Sequence, residues 1–223
     1  MNTVKKNLLL IQKEIAQVIE HYTPNIIAVT KYFDESKIIE AYEAGMRNFG
    51  ESRVIEAVEK IQKLPLEIRK NSTFHLIGHL QTNKVQKAVE NFDYIHSIDS
   101  LKLAEVVSGE AIKADKKQKV LLQINNANEE QKYGFSKESI LESFGEIKKL
   151  EGLEIVGLMN MAPFGAEKKD LKALFEDIVR LRGELEKRFD CTLKEISMGM
   201  SGDYKEAVVA GATMIRLGRK LFS

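Results

Sequence analysis

Residues 194–223 read KEISMGMSGDYKEAVVAGATMIRLGRKLFS, and the prediction of the fold starts from this stretch. Its hydrophobic pattern predicts a strand over residues 195–199, a short helix over 204–210 and a second strand over 214–218. Two strands joined through a helix run parallel in one sheet. Both strands end at a glycine, which indicates tight exits at their carboxyl ends.

The same alternation extends towards the N-terminus. Further short apolar runs, each followed by a segment of helical period, predict strands over residues 26–31, 48–50, 74–78, 94–98, 119–125 and 153–161. Strands that are apolar on both faces and separated by helices indicate a parallel sheet covered by helices. Eight such units in 223 residues favour a single (β/α)8 barrel of the TIM type. An open doubly wound sheet is the alternative, although no dinucleotide-type glycine fingerprint follows the first strand.

The chain begins with an amphipathic segment. Residues 1–22 mix charged and apolar positions, which predicts an extra N-terminal helix and neither a signal peptide nor a membrane-spanning segment. We therefore expect one domain over residues 1–223 and a cytoplasmic location. A polar loop is expected over residues 126–134, after the fifth strand.

Composition narrows the classes of function. Apolar residues make up 43% and charged residues 30% of the chain, and the net charge is +1. Such a balance gives no reason to expect nucleic acid or an anionic membrane as partner. The lone Cys191 excludes an intrachain disulfide and a cysteine metal cluster, and no two histidines have metal-ligand spacing with a carboxylate. We therefore expect no metal.

Active sites of (β/α)8 barrels lie at the carboxyl ends of the strands. Ser201-Gly202 and Gly218-Arg219 follow strands seven and eight, where barrels commonly hold phosphate with backbone N–H groups and hydroxyls. Glycine lets the backbone approach phosphate oxygens closely. The alternative is that the glycines only serve tight strand exits.

Lys31 ends the first predicted strand, behind four small or apolar residues. We expect its stem to begin inside the barrel wall and its amine to be partly removed from water, which favours the neutral nucleophile needed for an imine with an aldehyde. The alternative is a lysine that reaches from the strand end into water. An amine that faces a phosphate cradle at strands seven and eight suits a phosphorylated aldehyde.

Other candidate residues have ordinary structural interpretations. His75 lies in an apolar strand and is expected to be a hydrogen-bonded core residue, whereas His96 shows no functional pattern. His79 and Lys84 flank a helix start, where they either assist the site or cap and solvate the helix. The methionines at alternating strand positions are expected to fill the barrel interior. These are Met159, Met161, Met198 and Met200.

Five motifs lie in unbroken order along the chain: AVTK (28–31), FGES (49–52), HLIGHLQTNK (75–84), SMGMSGD (197–203) and RLG (216–218). They resemble the motifs of the YggS/PROSC family, the pyridoxal phosphate homeostasis proteins, which are similar to the N-terminal barrel domain of alanine racemase. The resemblance covers about residues 29 to 222, and the third and fourth motifs together are highly specific.

The resemblance implies a cofactor and its contacts. It implies that Lys31 carries pyridoxal 5′-phosphate as a Schiff base and that Arg216 faces the pyridine nitrogen. It also implies that Ser201, Gly218 and Arg219 bind the phosphate. The whole of residues 1–223 would then be one pyridoxal phosphate-binding barrel.

Two more positions of these motifs, Ser52 and Met200, are candidate cofactor contacts. Ser52 stands where the family usually has asparagine, so the resemblance by itself does not establish a cofactor contact from that position. Thr30 stands where serine is usual. Arg219 stands where threonine is common, so a charged contact to phosphate would replace a hydroxyl contact.

Two features of the sequence predict that the protein is not catalytic. A cation such as Arg216 beside the pyridine nitrogen disfavours its protonation and makes the ring a weaker electron sink. Racemisation also needs a second acid or base, which in alanine racemases is a tyrosine from an additional domain. Only five residues follow Gly218, so we expect no such domain, and for Tyr32 and Tyr133 a surface or packing role is favoured over a catalytic one.

We therefore predict a non-catalytic protein of intracellular vitamin B6 homeostasis, with pyridoxal phosphate-dependent apoenzymes as possible recipients and a monomeric state. An amino-acid racemase of low activity is the second hypothesis. A barrel that binds another phosphorylated metabolite non-covalently is the third.

Overall fold

In the computed structural model, which describes residues 2–127, 133–163 and 165–223, eight parallel strands form a closed barrel in sequence order. The strands are β1 Asn25–Val29, β2 Asn48–Glu51, β3 Thr73–Leu76, β4 Tyr94–Ile98, β5 Gln118–Ile124, β6 Leu153–Asn160, β7 Glu195–Ser197 and β8 Met214–Leu217. The predicted barrel is confirmed. The centre of the predicted polar loop, residues 128–132, lies outside the described residues.

The barrel closes where β1 pairs with β8. Ala28 lies opposite Leu217 on that side and opposite Phe49 of β2 on the other. Each strand thus has two parallel neighbours, which explains why apolar residues run continuously through the strands rather than alternating. Because β1 and β8 are neighbours, their carboxyl ends lie side by side, so Lys31 adjoins the loop after β8 rather than facing it across the barrel.

Helices cover the outside of the barrel and match the predicted order. They are α1 Thr3–Ala16, α2 Glu35–Glu43, α3 Val54–Lys63, α4 Leu66–Lys70, α5 Val85–Asn91, α6 Leu101–Lys113, α7 Lys137–Lys148, α8 Lys168–Phe189, α9 Tyr204–Ala210 and α10 Arg219–Phe222, with a 3-10 turn at Thr82–Lys84. The short helices α4 and α10 were not predicted, since one turn carries too few residues to show a helical period. The extra N-terminal helix is confirmed but ends at Ala16.

Side-chain caps explain where several helices begin. Asp34 caps α2 and accepts a hydrogen bond from the Ser36 N–H at 3.0 Å. Ser100 and Ser136 cap α6 and α7 in the same way, each accepting from a backbone N–H three residues on. Such caps satisfy N–H groups that have no partner within the first helical turn.

Two apolar regions hold the fold together. The larger lies between the strands and the helices and includes Met198. Other buried residues, Ile27 and Met159 among them, lie apart from it, inside the barrel. The prediction that the methionines fill the barrel interior holds for Met159. It is wrong for Met198, which packs in the outer region, and for Met200, which is 38% exposed because the chain has already left β7.

Within the described residues, no helix has both the length and the apolar character needed to cross a membrane.

Candidate functional site

The carboxyl ends of β1 and β8 form one continuous edge. The register that pairs Ala28 with Leu217 brings Val29 next to Gly218. A Cβ added to Gly218 would lie 3.5 Å from the Val29 carbonyl oxygen and 3.6 Å from its Cβ, which is ordinary contact. Lys31 follows two residues after Val29. The predicted amine and the predicted phosphate loop therefore share one edge of the barrel.

The Lys31 side chain is exposed, with its Nζ 5.0 Å from the centre of the Tyr32 ring. The expectation of a partly dehydrated amine is wrong. β1 ends at Val29, and the Phe33 N–H donates to the Thr30 carbonyl at 2.9 Å, so Lys31 lies in a turn rather than in the barrel wall. Within the described residues, no carboxylate comes within 4.0 Å of this Nζ, which leaves the amine open to a ligand.

A buried cluster of Thr30, Glu51 and Lys60 lies directly behind Lys31. Lys60 of α3 donates from Nζ to Glu51 Oε1 at 2.7 Å and to the Thr30 carbonyl at 2.9 Å. Thr30 Oγ1 donates to the same Glu51 oxygen at 2.7 Å, and the Thr30 N–H donates to the Gly50 carbonyl. All polar groups of Thr30 are thus bonded, which fixes the backbone from which Lys31 emerges. Neither Glu51 nor Lys60 was predicted from the sequence as part of the site.

Arg216 of β8 is buried at the same end of the barrel. Its Nη1 donates to Ser197 Oγ at 2.7 Å and its Nη2 donates to the Asn160 carbonyl at 2.9 Å. No carboxylate within the described part of the chain lies within 4.0 Å of the guanidinium. Burial lowers the pKa of Arg216 to about 10, and the charge of Asp203 opposes that shift. Arg216 is therefore a buried cation held by neutral acceptors.

A polar row continues from Ser197 through the barrel interior. His96 Nδ1 lies 3.0 Å from Ser197 Oγ, and His96 Nε2 lies 2.9 Å from His75 Nδ1. His75 Nε2 lies 3.1 Å from Asn48 Oδ1. The prediction that His75 is a hydrogen-bonded core residue is confirmed. The expectation for His96 is wrong, because this fully buried ring joins His75 to the partner of Arg216.

The loops after β7 and β8 meet beside this edge. Ser201 Oγ accepts a hydrogen bond from the Lys220 N–H at 3.2 Å, so both predicted phosphate loops contact each other. The Lys220 Nζ lies 3.3 Å from Glu14 of α1, which connects the N-terminal helix to the loops. Gly199 has a φ of +87°, and a Cβ there would come within 2.5 Å of the Ala207 Cβ. This glycine is required by the backbone, whereas Gly202 has open space around it.

The remaining predicted contacts occupy different positions. Ser52 is half-buried, and its backbone packs against Gly78, where an added Cβ would lie 2.3 Å from the Ser52 carbonyl. The Met200 N–H donates to Asp203 Oδ1 at 2.5 Å, so this amide is used within the loop. Arg219 is exposed at the start of α10. The structure brings Gly218, Arg219 and Ser201 together and places Ser52 directly after β2, beyond β1.

His79 and Asp99 form a separate pair at the ends of β3 and β4. His79 Nδ1 lies 3.2 Å from Asp99 Oδ2, and the His79 ring stacks on Tyr133 at 3.7 Å between centroids. Tyr32, in contrast, is 85% exposed. Both tyrosines thus have surface or packing positions, as expected from the sequence.

The donor set of this edge fits a phosphorylated aromatic aldehyde. Around β1 and β8 lie an exposed amine, a buried guanidinium for which no described carboxylate comes within 4.0 Å, and two adjoining loops with glycines and a hydroxyl. The carboxyl ends of β7 and β8 are also where (β/α)8 barrels most often hold phosphate. Among the described residues, no group of three or more metal-ligating side chains is present.

Comparison with known proteins agrees with this geometry. The barrel is of the alanine racemase N-terminal type, and the model of the family described as "Alanine racemase, N-terminal domain" matches residues 3–223. A pyridoxal phosphate homeostasis protein of Synechocystis sp. is 40% identical over 209 residues, which cover 93% of this chain and 95% of the relative. The chain belongs to the family of pyridoxal phosphate homeostasis proteins.

Two solved structures of a relative have the same fold as this chain. The structure of PipY from Synechococcus elongatus PCC7942 without PLP has a TM-score of 0.90 and 36% identity, covering 99% of this chain and 100% of PipY. The structure of the same protein with PLP bound has a TM-score of 0.87 and 35% identity, at the same coverage.

Proposed function

We propose that this chain binds pyridoxal 5′-phosphate as a Schiff base on Lys31 and takes part in pyridoxal phosphate homeostasis without turning over amino acids. The observation that carries the proposal is the shared edge of β1 and β8, where an exposed amine, a buried cation and two meeting loops lie together. The names of the relatives and the PLP-bound PipY structure support the choice of ligand. We treat residues 1–223 as one cofactor-binding domain.

Each residue has a distinct role in this proposal. Lys31 would hold the cofactor covalently, through an imine between its nitrogen and the aldehyde carbon, with the aldehyde oxygen lost as water. Ser201, Gly218 and Arg219 hold the phosphate through the hydroxyl, the close backbone and the charge, respectively. Arg216 approaches the ring nitrogen from the barrel interior. Ser52 and Met200 remain candidate contacts at the margin of the site.

When bound, the cofactor supplies an electron sink only as far as its ring nitrogen is protonated. The Arg216 cation, which no described carboxylate neutralises within 4.0 Å, opposes that protonation. We therefore propose storage and release of the cofactor rather than racemisation. Chiral analysis of alanine after long incubation with the loaded protein tests this, because Lys31-dependent racemisation would replace the proposal by the racemase hypothesis.

The central experiment is reduction with borohydride followed by peptide mapping. Wild-type protein incubated with pyridoxal 5′-phosphate should give an imine absorption band and a fixed adduct on the peptide that contains Lys31. Lys31→Ala should lose both, whereas Lys102→Ala, which removes an exposed lysine at the same end of the barrel, should keep both. A wild-type protein that binds the vitamer without any reducible adduct would instead support non-covalent binding.

The same proposal includes the recipients of the cofactor and the oligomeric state of the protein. Pyridoxal phosphate-dependent apoenzymes are the proposed recipients of the cofactor, and transfer is tested by activation of an apoenzyme with loaded protein that has been freed of unbound vitamer. A monomer is the proposed state, and sedimentation equilibrium measures it directly.

A further inference from the structure

The polar residues inside the barrel form a continuous row that the proposed function leaves unused. Asn48, His75, His96 and Ser197 come from four different strands and lie 2.9–3.1 Å apart in sequence order, and Ser197 contacts Arg216. We call these four residues the interior hydrogen-bond chain. The rings of His75 and His96 and the side chain of Ser197 are buried, so their polar atoms depend on one another for hydrogen bonds.

The two ends of this chain determine its direction. Asn48 Oδ1 is a carbonyl oxygen and only accepts, so His75 must carry its proton on Nε2. A neutral imidazole has one N–H, so His75 Nδ1 accepts and His96 must donate from Nε2. His96 Nδ1 then accepts the hydroxyl proton of Ser197. At the other end, Arg216 only donates, so Ser197 Oγ accepts from it.

The opposite direction would leave a buried group unsatisfied. If the Asn48 amide were turned, His96 would donate from Nδ1 to Ser197 Oγ, which already accepts from Arg216. The hydroxyl proton of Ser197 would then have no acceptor in the described part of the chain. An unpaired buried donor costs about 1–3 kcal/mol, so the direction from Arg216 to Asn48 is favoured.

Burial keeps both rings neutral, as this direction requires. It lowers the pKa of His75 to about 3. It also lowers the pKa of His96 well below its ordinary value, and the neighbouring His75 and Arg216 add to that effect.

We propose that the interior hydrogen-bond chain positions Arg216 for its ligand. By committing the hydroxyl proton of Ser197 to His96, the chain turns the lone pairs of Ser197 Oγ towards the guanidinium and holds it in one orientation. The Asn160 carbonyl holds the second nitrogen, Nη2, and so fixes the plane of the group. Ser197 and His96 are thus positioning residues that act through Arg216.

This inference rests on the proposed function, because it takes the ring nitrogen of pyridoxal 5′-phosphate as the group that Arg216 meets. A cation held close to that nitrogen keeps the ring and its imine unprotonated to lower pH. If Arg216 loses its fixed position, the imine absorption band should titrate at higher pH and the cofactor should bind more weakly. A residue with a purely structural role would change stability without moving this titration.

The first test uses ligand-free protein. Nitrogen-15 NMR of the histidine side chains should show His75 and His96 as neutral Nε2–H tautomers that do not titrate between about pH 5 and 8. In Ser197→Ala, the Nδ1 resonance of His96 should shift because its hydrogen-bond donor is gone. An Nδ1–H tautomer for either ring, or titration of either ring in this range, would overturn the directed chain.

The second test uses protein loaded with pyridoxal 5′-phosphate. Ser197→Ala should lower the affinity by about tenfold, the effect of losing one hydrogen bond to a charged group, and should move the titration of the imine band to higher pH. Ser197→Thr restores the hydroxyl and should return both values towards wild type. Ile196→Val, a neighbour on β7 that packs in the outer core, should change neither.

The outcomes separate the two proposals. A loaded, folded Ser197→Ala protein with wild-type affinity and titration would refute the positioning role alone. A wild-type protein that traps no adduct on Lys31 would refute the proposed function and, with it, the ligand assigned to Arg216, while the NMR result for the ligand-free chain would still stand. If Ser197→Ala does not fold, His96→Gln and the tautomers of the wild-type rings decide the question.

Discussion

Replacement of Lys60 by methionine tests the cluster behind Lys31. Methionine has a similar length and keeps the apolar part of the side chain, but it removes the charge and both hydrogen bonds of Nζ. Glu51, which is 3% exposed, would keep its charge without the cation that now lies 2.7 Å away. Breaking a buried ion pair by removing one partner typically costs about 3–5 kcal/mol. We expect Lys60→Met to lose that much in free energy of unfolding.

Urea unfolding followed by circular dichroism measures this loss, and an exposed pair provides the control. Lys37 and Glu40 lie 2.6 Å apart with side chains 37% and 25% exposed, so Lys37→Met should cost at most about 1 kcal/mol. The double variant Lys60→Met/Glu51→Gln should recover part of the loss, because the unpaired charge is gone. Equal effects of Lys60→Met and Lys37→Met would refute the reasoning that burial makes this pair important.

Three further predictions concern the packing of glycines, a buried histidine and the free cysteine. Gly157→Ala should destabilise the protein by more than about 3 kcal/mol, because the new Cβ would lie 1.7 Å from the Glu195 carbonyl oxygen. Gly183→Ala, which has open space in α8, should instead stabilise the protein by about 0.5–1 kcal/mol. Thermal unfolding compares the two variants. The free energy of unfolding should fall on acidification from about pH 6.5 towards pH 3, because the unfolded state binds a proton at His75 that the folded state excludes. The expected slope for His75 is about 1.4 kcal/mol per pH unit. Urea unfolding at several pH values measures it, and a flat profile would contradict this expectation. Cys191 should react with iodoacetamide more slowly than a free thiol at pH 8, since burial raises the pKa of its thiol, and mass spectrometry follows the reaction.

Much of the architecture could be predicted because it is written in local patterns. The alternation of short apolar runs with helical periods led to the barrel. Several helices begin at side chains of the capping type, namely Asp34, Ser100 and Ser136. The positions of the strand ends were predicted less accurately. The predicted environment of Lys31 was wrong for two reasons. β1 ends two residues earlier than its apolar run suggests, and the turn that begins at Thr30 directs the amine outward.

The contacts that organise the site could not be predicted, because they join residues far apart in the chain. Lys60 meets Thr30 across 30 residues, and His96 meets Ser197 across 101. One signal was present: Lys60 lies three residues after the buried Ala57, on the apolar face of α3, where an unpaired lysine would be unfavourable. For His96, the strand pattern gave no indication that its ring faces the barrel interior.

Among the described residues, two buried cations lie at this end of the barrel, and they differ in how their charge is balanced. That difference explains their roles. Lys60 is paired directly with Glu51, so its charge is neutralised locally and its amine is occupied. It can anchor a backbone but cannot compete for an aldehyde. Arg216 is bonded to a hydroxyl and a carbonyl, which orient the guanidinium without cancelling its charge. Such a cation lies beside the carboxyl end of β1, where the exposed amine of Lys31 follows, and its charge stays available to interact with a ligand bound at this edge.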